Sequence, residues 1–140
     1  MKKKLGLIFS SLALVVVMIA TLCACSTFGG IKKAFEKEGY KENEDVPAAQ
    51  EQIVKGIFGE DADSYLTVHV FTKSLSVATI VEFKSTKEME EKLKELADDE
   101  VIGGYVKQSI DNLQKCDIVN GNCVLVSGYL TGCITIFKNA

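Results

Sequence analysis

The chain has 140 residues, with 16 lysines and no arginine against 19 acidic residues, and a formal net charge of −3. That length suits one small domain. An acidic chain without the planar guanidinium fork used on phosphates and guanine edges excludes nucleic acid as an expected partner.

The first two dozen residues differ from the rest. Met1-Lys2-Lys3-Lys4 is a basic head, and a largely apolar run follows from Leu5 to Leu22. A basic head, an apolar middle and a small-residue exit make up a secretory signal. An apolar stretch of about 18 residues can also just span a bilayer, so an uncleaved anchor is the competing reading. The three lysines resist translocation, so either reading places the remainder outside.

Leu22-Cys23-Ala24-Cys25 ends the apolar run. The quartet resembles the lipobox of bacterial lipoproteins: a leucine, a small residue, Ala or Gly, and then the cysteine that takes the lipid. The resemblance implies that Leu22 and Ala24 are signal-peptidase recognition positions and that Cys25 accepts a diacylglycerol thioether. Cys23 fills a position usually held by Ala, Ser or Thr, and would leave with the signal. The implied organisation is a signal peptide over 1–24, a lipidated polar tether over 25–30, and one domain over 31–140. Two acyl chains provide the second anchoring signal that one chain lacks, so the domain is expected to stay on the membrane, facing the extracytoplasmic side. A redox role for Cys23 and Cys25 is disfavoured, because apolar surroundings raise thiol pKa. Removing 1–24 leaves 116 residues carrying 13 of the lysines and all 19 acids, a net charge of −6.

The mature chain opens with apolar residues at helical spacing, Ile31, Ala34 and Phe35, and Gly39 fits a stop. A second helix is predicted from about Pro47, with Ile53 and Ile57 on one face and Gly59 at its end. "SYLTVHVFTKS" and "LSVATIVEFKS" read as an antiparallel hairpin turning near Lys73-Ser74. Leu66, Val68 and Val70 share one face of the first strand, with His69 opposite; Leu75, Val77, Val81 and Phe83 share a face of the second.

Ser85 and Glu88 have capping-box spacing, opening a helix with Met89, Leu93 and Leu96 on its stripe. Another helical stretch begins near Asp98 or Asp99, with Ile102, Val106, Ile110 and Leu113 on one side and a bend at Gly103-Gly104. Asn120-Gly121 between apolar runs is a strong hairpin signal, and "CITIF" reads as a last strand. Clustered strands and clustered helices predict an α+β domain: an antiparallel sheet of four to five strands with helices packed on one face.

Cys116, Cys123 and Cys133 remain in a compartment that permits disulfides. A turn at Asn120-Gly121 would set Cys123 opposite Ile118, so neither hairpin register makes a bridge easily. Burial as small hydrophobes leads, while one disulfide, most readily from Cys116 to Cys123 or Cys133, stays open. Their spacing lacks the close pair of a zinc site, and His69 reads as a strand-surface residue; no metal or other cofactor is expected. Asp61 and Asp63 resemble the start of a calcium loop, but Tyr65 and Leu66 stand where a ligand and a glycine are needed. No nucleophile elbow, zincin or Ser-x-x-Lys pattern occurs. The expectation is a membrane-anchored, non-enzymatic domain that binds a protein or peptide of the cell envelope. A small-ligand-binding lipoprotein for uptake or sensing is the alternative.

Overall fold

The computed structural model describes residues 27–140. Leu22, Ala24, Cys25 and the signal-like segment lie outside the described residues. Helix α1 spans Thr27–Lys37, so four residues expected in the tether form its first turn instead. Two glycines there oppose helix by about 1 kcal/mol each. Phe28 offsets them by stacking on the His69 ring, with centroids 3.6 Å apart. Ile31 and Phe35 are fully buried, and Gly39 ends the helix at φ 90°.

A two-residue strand β1, Lys41–Glu42, follows. Helix α2 covers Ala48–Phe58 behind Pro47 and buries Val54, Ile57 and Phe58 before Gly59 turns the chain at φ 103°. After a 3₁₀ turn over Ala62–Ser64, strands β2, Leu66–Lys73, and β3, Ser76–Phe83, pair from Leu66↔Phe83 to Lys73↔Ser76. The turn is therefore Ser74-Leu75, with Ser74 at φ 52°. Leu75, expected on the strand's apolar face, is instead fully exposed at its tip.

Helix α3, Thr86–Glu95, begins as expected: Ser85 Oγ accepts from the Glu88 amide at 3.1 Å. Met89 and Leu93 are buried beneath it. Asp99 Oδ1 then accepts from the Val101 and Ile102 amides, leading into α4, Gly103–Gln108. That helix stops short of Ile110, which is 37% exposed, while Leu113 is buried in a 3₁₀ turn, Leu113–Lys115.

Strands β4, Val119–Asn120, and β5, Cys123–Ser127, form the last hairpin. Its turn is Gly121-Asn122, one residue later than expected, so Cys123 faces Asn120. A 3₁₀ turn, Tyr129–Thr131, leads to the main correction: "CITIF" lies in helix α5, Cys133–Lys138. Cys133 and Phe137, its buried pair, are four apart, a spacing that shares one face in a helix and in a strand alike. Gly132, at φ 79°, turns the chain into the helix. Both edges of β5 are already taken, by β3 and β4.

The sheet is antiparallel throughout, in the order β1-β2-β3-β5-β4. The α+β class and the number of strands match expectation, although the fifth strand is β1, in a segment expected to be a charged connector, and not "CITIF". The helices, however, divide between the two faces. Phe71 stacks on Phe35 of α1, and Asn120 Nδ2 donates to the Phe137 carbonyl of α5 on that same face. Phe83, five registers away and pointing oppositely, meets Phe58 of α2 edge-on at 5.7 Å. Burying such rings on both sides contributes roughly 1.5–3 kcal/mol each. Among the described residues, no helix is long and apolar enough to cross a membrane.

Candidate functional site around His69

Strand β2 alternates faces, so His69 shares its face with Phe71 and lies under α1. Strand β1 brings Glu42 to one side of the ring and β3 brings Glu82 to the other. His69 Nδ1 is 2.9 Å from Glu42 Oε1, and Nε2 is 3.2 Å from Glu82 Oε1. The second oxygen of Glu42 takes Lys32 Nζ at 2.9 Å. Side chains from α1, β1, β2 and β3, namely Lys32, Glu42, His69 and Glu82, thus form one polar chain, with Phe28 laid flat over the imidazole. The His69 side chain is only 13% exposed.

Carboxylates accept hydrogen bonds and do not donate them. Burial alone would raise the Glu42 carboxyl, but hydrogen bonds and charge from Lys32 and His69 outweigh it and hold the group below the usual carboxylate range. The ring, with a carboxylate oxygen at hydrogen-bond distance from each nitrogen, joins β1 to the sheet beneath the first turn of α1. Among the described residues, no cluster of three histidine, cysteine or acidic side chains is placed to hold a metal ion.

The three cysteines expected near the C-terminus are buried thiols on separate elements, with no disulfide among them. Cys116 Sγ donates to the Tyr105 carbonyl at 3.4 Å, and burial pushes its pKa up. Burial, and then the Glu82 charge, push Cys123 up to about 12. Cys133 Sγ lies 3.4 Å from the Tyr40 hydroxyl. Cys116 and Cys123, both raised by burial, are not thiolate nucleophiles at neutral pH. Asp61 precedes a 3₁₀ turn, where its carbonyl accepts from the Ser64 hydroxyl, and Asp63 is exposed.

Sequence reasoning set His69 opposite Leu66, Val68 and Val70, as found, but took it for a strand-surface residue, whereas it is largely covered by Phe28 of α1, and it missed both carboxylate partners. Glu42 sits in "KENEDV", a charge run with no strand pattern. Glu82 is the lone acid within an apolar strand, and that interruption was the available signal. Elsewhere the surface has open clefts of mixed charge. One of 370 Å³ lies around Tyr65, whose ring has Lys92 Nζ 5.3 Å from its centroid. Leu75 and Leu130 stand fully exposed on turns at the end of the sheet away from Thr27.

No protein-family model matches the chain, and neither a curated protein nor a solved structure does.

Proposed function

We propose that the protein is a membrane-anchored lipoprotein whose domain serves as a non-enzymatic binding module on the extracytoplasmic face of the cell membrane. The observation that carries this reading is the Leu22-Cys23-Ala24-Cys25 box, set behind a basic head and an apolar run. Cys25 takes the diacylglycerol thioether, Leu22 and Ala24 direct the cut, and the acyl chains hold the domain at the bilayer.

The absence of enzymatic activity is argued from the groups available. His69 is engaged at both nitrogens, and Cys116 and Cys123 are buried with raised pKa. The described residues leave no activated nucleophile–base pair. Binding of an envelope protein or peptide fits a surface of open, charged clefts and two exposed leucine tips better than it fits an enclosed ligand pocket.

The test is fractionation of expressing cells, followed by crosslinking with a membrane-impermeant reagent. The full-length protein should appear in the membrane fraction and crosslink to a discrete partner. Protein recovered in the soluble fraction would overturn the anchoring, and crosslinked species no different from those of a lipid-anchored control domain would overturn the binding role.

A further inference from the structure

We infer that the end of the sheet formed by the β4–β5 turn and the start of β2 faces the bilayer, with the β2–β3 turn directed away from it. This rests on the lipidation of Cys25 proposed above and adds a surface to it. Only Ser26 separates Cys25 from Thr27, so their Cα atoms are at most about 7.6 Å apart.

Thr27 is packed in place. It fills the space over Gly121, where an added Cβ would lie 2.8 Å from Thr27 Cγ2. One residue on, Phe28 is stacked on the His69 ring between Glu42 and Glu82. The first helical turn is therefore seated by two contacts, and the remaining link is too short to let the domain turn over.

The far end of α1 marks the opposite pole. Lys73 Nζ donates to the Glu38 carbonyl at 2.6 Å, beside the turn that carries Leu75. With a rise near 3.3 Å per strand residue, Leu75 stands about 25 Å from the level of Thr67. A 300 Å³ cleft at the anchored end is lined by Asp63, Ser64, Thr67, Lys84 and Asn122. Glu82, also in its wall, is already engaged by His69.

Thr67→Cys and Leu75→Cys, each carrying a thiol-reactive fluorophore, test the orientation in full-length protein processed in cells. Both positions are exposed, while Cys116, Cys123 and Cys133 are buried, so the unsubstituted protein is the labelling blank. The proteins are reconstituted into phosphatidylglycerol–phosphatidylethanolamine vesicles containing headgroup-nitroxide lipid. The fluorophore at position 67 should be quenched several-fold more than that at 75. Equal or reversed quenching, with the diacylglycerol adduct present by mass spectrometry, would overturn the orientation alone. Absence of the adduct would remove the lipidation reading and this one together.

Discussion

His69 and Glu42 meet across the β1–β2 pair, with Nδ1 2.9 Å from Oε1, and the other Glu42 oxygen takes Lys32 of α1 at 2.9 Å. One carboxylate therefore ties a two-residue strand, a central strand and the first helix together.

Replacing Glu42 with Gln should destabilise the domain by about 1–2 kcal/mol at neutral pH, the size of lost hydrogen bonds to charged partners. The Glu42 pKa is lowered in the folded state. Its stabilising contribution is thus present above its unfolded pKa and is lost as pH falls through the folded value. Urea unfolding at neutral pH and at a pH below 4.5, the ordinary value for this carboxyl, should show the Glu42→Gln penalty shrinking with acid. A penalty that grows with acid would contradict the assignment.

Lys138 holds a second junction. Its ammonium donates to the Gln114, Cys116 and Val119 carbonyls at 2.6, 2.9 and 2.7 Å, using all three protons on one loop. Lys138→Met keeps the stem but leaves those carbonyls without a donor, and should cost about 2–3 kcal/mol. Chemical denaturation measures it; a change under about 0.5 kcal/mol, typical of surface sites, would show the contacts to be dispensable.

Adjacent glycines should respond with opposite signs. Alanine at an exposed helix position normally gains about 0.5–1 kcal/mol over glycine, and Gly104 has nothing within 4 Å of an added Cβ. At Gly103 the same atom would lie 2.6 Å from the Ala97 carbonyl oxygen. Gly104→Ala should therefore raise the melting temperature, and Gly103→Ala should lower it by the equivalent of about 1–3 kcal/mol. Equal effects would place the start of α4 elsewhere.

Much of this fold was legible because local signals and tertiary packing agree. Ser85 capping Glu88, Gly59 closing α2 and the β2–β3 hairpin each have one dominant local cause. The misses have physical reasons too. In "CITIF" the buried pair, Cys133 and Phe137, fits both periodicities, and β-branched residues favoured strand where the sheet had no free place beside β5. Phe28 could not be recognised as a packing residue, since the stack it completes depends on His69, 41 positions away in sequence. Glu42 gave no strand signal because a two-residue strand has no period to read.

Thiol counting follows from burial. In the folded mature protein Cys116, Cys123 and Cys133 should all resist a thiol reagent at mildly alkaline pH, with Cys123 pushed up to about 12 and Cys116 also raised by burial. In denaturant three thiols should react if, as proposed, Cys23 leaves with the signal and Cys25 becomes a thioether. One reactive thiol would reveal a disulfide; four would mean that Cys25 carries no lipid.

The central claim is lipidation at Cys25, and the most direct measurement is incorporation of a labelled fatty acid in cells producing the full-length chain, its Cys25→Ser variant and its Cys23→Ser variant. The unsubstituted chain and Cys23→Ser should both carry label, and Cys25→Ser should carry none. Label retained by Cys25→Ser, or lost only from Cys23→Ser, would contradict the account.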